Sequence, residues 1–241
     1  MWSHSLRYQN RFVRRPAQSL PIWLFDLDNT LHDAAHGIFD QIHRCMIDAI
    51  QDLLHVDAAQ ADRLRIDYWR RYGATLIGMV RHHQVCPHEF LARAHNFDIS
   101  AYIHKEQGLN DALSRLPGQK IILTNAPLHY ARTVLHCVGI PHHFERVLSI
   151  ESMQRASYFR PKPALSLMQQ VLAQLKVQAT QCFFIDDTLR NLKSAAQLGI
   201  RTIHYAHPDT PGNTPLRQRP LYVEMSIRSI RELSQRVHEL L

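Results

Sequence analysis

The chain has 241 residues, 45% of them hydrophobic and 20% charged, with a formal charge of +7. That length can bury a full core, as one α/β domain or as one domain carrying an insert, and no apolar run approaches the roughly 20 residues that cross a bilayer. The charge excess sits at the ends: residues 1–20 hold four Arg and no acid and 201–241 hold six Arg against four acids, while 21–200 are close to balance, so a nucleic-acid-binding face is not expected.

Residues 1–20 read as a basic arm with Arg7, Arg11, Arg14 and Arg15. They lack the apolar stretch of a secretory signal. Cys45, Cys86, Cys137 and Cys182 form no CxxC pair, which suits free thiols in a reducing compartment. A cytoplasmic protein is the expectation. The 17 histidines are mostly scattered and contain no His-Glu-x-x-His pattern, so no zinc site is expected.

The first predicted strand, Ile22–Phe25, runs directly into Asp26-Leu27-Asp28-Asn29-Thr30. Two carboxylates at the exit of an apolar run repel each other, and a bound cation or a reacting phosphate would relieve that repulsion. A polar turn with Asn29 and Thr30 capping a helix is the plainer alternative. From His36 to Lys105 no strand pattern appears, whereas Ile38/Ile42/Met46/Ile50 and Leu64/Tyr68 have helical spacing. An all-helical insert leaving the end of the first strand would hang over the sheet edge where ligands bind. Within it, Arg81, His82 and His83 offer hydrogen-bond donors and Tyr72 a ring for stacking. Neighbouring helical positions diverge by about 100°, so His82 and His83 should not face a pocket equally. Tyr68 and Tyr72, four apart, also fit ordinary helix packing.

Ile121–Leu123 is the second strand, and it opens into Thr124-Asn125, where a hydroxyl and backbone N–H groups can hold phosphate oxygens or simply cap a helix. A helix over Leu128–Val138 and a strand over Val147–Ile150 follow. In Arg160-Pro161-Lys162-Pro163 the prolines fix the backbone around one lysine, whose point charge could neutralise phosphate and carboxylates. After a helix over Ala164–Leu175, the strand Cys182–Ile185 ends in Asp186-Asp187-Thr188. Two consecutive acids there are costly without a counter-ion, and a hard cation such as Mg²⁺ fits. The remaining expectations are a helix over Thr188–Leu198 ending at Gly199, a weaker strand Thr202–Tyr205, a loop Pro208–Pro220 and a helix Ser226–Leu240. Strands alternating with helices predict a doubly wound parallel sheet. The expected division is a core of 21–35 and 106–207, a helical cap of 36–105 inserted after the first strand, and a loop and C-terminal helix over 208–241.

The segments FDLDNTL, LTNA, RPKP and FIDDT, in this order, resemble the four motifs of the haloacid dehalogenase-like (HAD) phosphohydrolases over about residues 21–205. The resemblance implies a Rossmann-like core and a Mg²⁺ cofactor. By it Asp26 is the nucleophile that forms an aspartyl-phosphate, and Asp28 the general acid/base whose backbone carbonyl also meets the metal. Thr124 and Asn125 hold phosphate, Lys162 balances charge, and Asp186 and Asp187 surround the metal, Asp187 being the stronger ligand. The true dehalogenases of this superfamily lack the second aspartate, because halide leaves without a proton. Asp28 therefore favours phosphate esters.

The insert resembles the cap of the pyrimidine 5′-nucleotidase branch in Tyr68–Gly73 and Gly78–His83, as does FIDDTLRN with Arg190 and Asn191. This implies hydrolysis of UMP or CMP, with Tyr72, Arg81, His82 and His83 as substrate contacts. Two readings stay open beside it: a phosphatase for phosphoglycolate or a sugar phosphate, and a protein that binds nucleotides or polyanions without turnover. The expected partner is a small phosphate monoester, with no specific nucleic acid and no membrane. No motif speaks to base preference or oligomeric state, or gives the basic arm a role.

Overall fold

In chain order the elements are β1 (Ile22–Phe25), α1 (Ile38–Leu54), α2 (Ala58–Tyr72), α3 (Thr75–His83), α4 (Pro87–Ala94), α5 (Leu109–Arg115), β2 (Gln119–Leu123), α6 (Leu128–Val138), β3 (Arg146–Leu148), the hairpin strands β4 (Gln154–Arg155) and β5 (Tyr158–Phe159), α7 (Leu165–Leu175), β6 (Cys182–Asp186), α8 (Leu189–Ala196), β7 (Arg201–Tyr205), β8 (Met225–Ile227) and α9 (Ile230–Arg236). They are taken from a computed structural model that describes residues 20–155, 158–207 and 219–241. The expected basic arm, apart from Leu20, and most of the expected loop over 208–220 lie outside the described residues.

Six strands pair in parallel in the order β3-β2-β1-β6-β7-β8. Every residue of β1 is buried, as befits a central strand covered on both faces. Alternation along the strands divides the core. Trp23, Phe25, Ile122, Phe183 and Ile185 pack with Leu113 of α5, Val134 of α6 and Leu233 of α9. Leu24, Ile121, Leu123 and Phe184 pack with Met168 and Val171 of α7 and Leu192 of α8. The result is the predicted doubly wound sheet. Its order reverses at β1, which has β2 on one side and β6 on the other. Such a switch point opens a crevice at the carboxyl ends of the strands.

Helices α1 to α4 fill the stretch between β1 and α5 as the missing strand pattern predicted. Ala49, Ile50, Leu76, Met79, Phe90 and Leu91 give them a core of their own, joined by Ile150 and Phe159. The two connecting segments lie side by side. Asp33 N donates to His104 O at 2.9 Å, and Gly37, at φ 97°, leaves room for the Tyr102 ring, which a Cβ would meet at 2.7 Å. No helix among the described residues is long and apolar enough to cross a membrane.

The C-terminal expectation needs correction. The helix predicted over Ser226–Leu240 starts later, because Met225–Ile227 pairs with β7 as a strand. Helix α9 begins at Ile230, with Ser229 Oγ accepting from Glu232 N at 3.0 Å. Three residues show too little alternation to read as a strand, and pairing with β7 decides the matter. The strand predicted over Val147–Ile150 shifts to Arg146–Leu148, and Ile150 enters a 3₁₀ turn. The hairpin β4–β5 was not foreseen.

Candidate active site

The register of the sheet builds the site. Phe25 lies level with Ile122 of β2 and Ile185 of β6, so one step beyond Phe25 brings Asp26 beside Asp186. Asp26 N donates to Ile185 O at 2.9 Å. Lys162 arrives from the Arg160–Pro163 loop and bridges the two acids, its Nζ 2.6 Å from Asp26 Oδ1 and 2.8 Å from Asp186 Oδ2. Asn191 Nδ2 donates to both oxygens of Asp186 at 3.0 and 3.1 Å, and Thr188 N to its Oδ1 at 2.8 Å. Asp187 Oδ1 accepts a longer bond from Thr188 Oγ1, at 3.3 Å. Protein donors thus hold both oxygens of Asp186.

Asp26, Asp186 and Asp187 are all buried and offer oxygens within 4.8 Å of one another, the one such acidic group among the described residues. Three carboxylates face one buried ammonium. Burial, together with the charges of Asp186 and Asp187, pushes the Asp26 carboxyl well above the usual range, and Lys162 offsets only part of this. Burial works against the Lys162 ammonium too, but Asp186 and Asp26 outweigh it and hold it firmly protonated. A divalent cation with a preference for oxygen would remove the remaining imbalance. The donor set therefore fits Mg²⁺.

Thr124 sits at the end of β2, buried, with its N–H on Leu148 O and its Oγ1 accepting from Ala126 N at 3.0 Å. The hydroxyl proton is left to donate. Asn125, expected with Thr124 in the phosphate-holding segment, has its side chain engaged by the lysine loop. Its amide pairs reciprocally with the Lys162 backbone, Nδ2 donating to Lys162 O at 3.0 Å and Oδ1 accepting from Lys162 N at 2.9 Å. What Asn125 orients is the lysine loop.

Asp28 stands apart from the three-carboxylate group. Its Oδ1 is 2.9 Å from His32 Nε2 and accepts from Tyr130 Oη at 2.6 Å. Burial would raise its carboxyl, but the bonds from His32 and Tyr130 bring it below the ordinary value. His95, the C-cap of α4, lies against Tyr130 with ring centroids 5.2 Å apart. Burial lowers His95 to about 4, against the pull of Leu91 O and Asp28. None of His32, Tyr130 and His95 was singled out from sequence. His32 could have been, four residues beyond Asp28, but nothing local marks Tyr130, 102 residues away.

The sequence model of the haloacid dehalogenase-like hydrolases matches residues 22–199. The chain belongs to that family. This hydrolase shares its fold with a HAD phosphatase from Thermococcus onnurineus, at 16% identity over 90% of this chain and 98% of that one, with a TM-score of 0.60. An L-2-haloacid dehalogenase from Xanthobacter autotrophicus is 14% identical over 92% of this chain and 100% of its own, with a TM-score of 0.56. A Bacillus subtilis HAD-hydrolase structure bound to magnesium is 17% identical over 92% of this chain and 99% of its own, also at 0.56.

The residues predicted on the inserted helices of this hydrolase cluster with one another. Tyr72 Oη is 2.7 Å from His82 Nε2, and the Arg71 and Arg81 guanidinium groups lie 5.3 and 5.8 Å from the Tyr72 ring centroid. His83 Nε2 is 2.7 Å from Tyr68 Oη, and the Tyr68 ring also stacks on His82 with centroids 5.5 Å apart. Among the described residues no hydrogen bond or ion pair joins this cluster to Asp26, Thr124 or Lys162. The link is through the backbone: at Gly73, next to Tyr72, a Cβ would sit 3.0 Å from Lys162 O.

Proposed function

We propose that this HAD hydrolase is a Mg²⁺-dependent phosphomonoesterase whose preferred substrates are pyrimidine nucleoside 5′-monophosphates. The observation that carries the reading is the Lys162 bridge between Asp26 and Asp186 inside a three-carboxylate group, with a fourth carboxylate, Asp28, held two residues beyond Asp26. Asp26, Asp187, Asp186 and the Asp28 carbonyl would hold Mg²⁺, which would supply charge neutralisation for the phosphate.

In this mechanism Asp26 attacks phosphorus in line and forms an aspartyl-phosphate. Thr124 donates its hydroxyl proton to an equatorial oxygen, and Lys162 adds a fixed positive charge. Asp28 protonates the departing ester oxygen and then takes a proton from the water that hydrolyses the intermediate. Halide would need no such donor, so the presence of Asp28 argues for phosphate esters over haloacids.

The division into a core of 21–35 and 106–207 and a cap of 36–105 belongs to the same proposal. The cap would supply Tyr72, Arg81 and His82 for base and ribose, while His83, engaged with Tyr68, buttresses them. A panel of monophosphates tests the assignment. UMP and CMP should exceed phosphoglycolate and hexose phosphates in kcat/KM, and the opposite order would replace the nucleotidase reading with a small-acid or sugar phosphatase. Failure to release phosphate even from p-nitrophenyl phosphate with Mg²⁺ would leave only a binding protein.

A further inference from the structure

A carboxyl group has two oxygens, and the one that faces the reaction is decided by what holds the other. Asp28 Oδ1 is held twice. The Tyr130 hydroxyl, from α6, donates to it at 2.6 Å, and His32 Nε2 lies 2.9 Å away. Both partners are buried. The other nitrogen of His32, Nδ1, has no partner among the described residues. A bare lone pair is tolerated inside proteins better than a bare N–H, so the proton belongs on Nε2. His32 is then a donor to Oδ1, as Tyr130 is.

We propose that Tyr130 and His32 are positioning residues, whose two bonds to Oδ1 turn Oδ2 of Asp28 toward the leaving group and make it the oxygen that carries the proton. The inference rests on the phosphomonoesterase reading. In a protonated carboxyl the carbonyl oxygen accepts and the hydroxyl oxygen donates, so two donors on Oδ1 keep the proton on Oδ2. As the P–O bond to the leaving group breaks, the Oδ2–H bond breaks with it and the proton goes to the departing oxygen. When water attacks the aspartyl-phosphate, its proton returns to Oδ2 as the new P–O bond forms and the bond from phosphorus to Asp26 breaks, which frees the Asp26 carboxylate and phosphate. His95 extends the arrangement to the inserted helices. Its ring backs Tyr130 at 65°, so the packing of α4 helps to hold the hydroxyl in place.

General acid assistance matters most for a poor leaving group. The test is therefore a ratio: kcat/KM for p-nitrophenyl phosphate over kcat/KM for an alkyl phosphate monoester, each with Mg²⁺. Tyr130→Phe, which removes one oxygen, should raise this ratio about tenfold or more, as part of the 10²–10⁴-fold that a positioned acid contributes. His32→Leu should raise it as well, and His32→Gln, whose amide nitrogen can replace Nε2, should return it toward the wild-type value. Equal losses on both esters, or no loss on either, would overturn the positioning role. A wild-type protein inactive on both esters would overturn the phosphatase reading and this inference with it, whereas an active wild type with an unmoved ratio would overturn the role of Tyr130 and His32 alone. Should Tyr130→Phe fold poorly, the contrast between His32→Leu and His32→Gln decides the matter.

Discussion

At the scale of single residues, the site is an electrostatic arrangement held short of balance. Lys162 is shared between Asp26 and Asp186, and Asp187 adds a third carboxylate. Breaking a buried pair typically costs about 3–5 kcal/mol, because it leaves a charge without a partner. Asp26→Asn is a milder change, since an amide has no charge to bury. Because burial and two neighbouring acids already hold Asp26 above the usual carboxylate range, the variant should keep its fold and its Tm. An amide cannot form the acyl-phosphate, so turnover should fall at least about a thousandfold. Near-normal phosphate release would remove Asp26 from the nucleophile's role. These acids were legible in the sequence because each follows a strand that its own apolar residues announce. The jobs of Asn125 and Tyr130 were not, because both are set by partners far along the chain, 37 and 102 residues away.

At the scale of elements, the inserted helices depend on one close approach. A Cβ at Gly78 of α3 would lie 2.0 Å from Cγ of Tyr68 on α2. Ala in place of Gly gains about 1 kcal/mol of helix propensity, but overpacking costs about 1–3 kcal/mol, and at 2.0 Å the ring cannot stay where it is. Gly78→Ala should therefore lower Tm. In a Tyr68→Ala background the sign should reverse, since the clash is gone and the propensity gain remains; thermal melts of the four proteins check this. The Tyr68–Tyr72 spacing gave notice of packing between helices, but the glycine facing the ring could be recognised only once α2 and α3 were placed together. Strand β8 shows the same limit. Its three residues carry no readable period, and only the exposed edge of β7 makes them a strand.

For the whole molecule, two stability measurements follow. If Mg²⁺ completes the carboxylate group, it stabilises the folded state by mass action, about 2.7 kcal/mol at a hundred times its Kd. Tm should rise with added Mg²⁺ in the wild type and much less in Asp187→Asn; equal rises would place the ion elsewhere. The second measurement concerns acid. His95 is held at about 4 by burial, so between pH 6.5 and 4 the unfolded chain binds a proton that the folded one does not. Its contribution is present above pH 6.5 and is lost as the pH falls, in all about 3 kcal/mol. Asp26, raised above its ordinary value, works in the opposite sense, since acid relieves its burial. The informative quantity is thus a difference: between pH 7 and pH 4.5, metal-free wild type should lose more Tm than His95→Gln. Parallel curves would refute the role of His95.

Strands β1, β2, β6 and β7, their alternation with helices, the helical insert and the acids at the strand exits were determined by the sequence itself, because apolar runs, periodicity and turn chemistry act within a few residues. Tertiary structure alone decided that Lys162 bridges Asp26 and Asp186, that Asn125 serves the lysine loop, and that Tyr130 and His95 gather around Asp28. Those relations follow from sheet register and from helices packing across the switch point at β1, and contacts between residues remote in the chain leave no periodic trace in it.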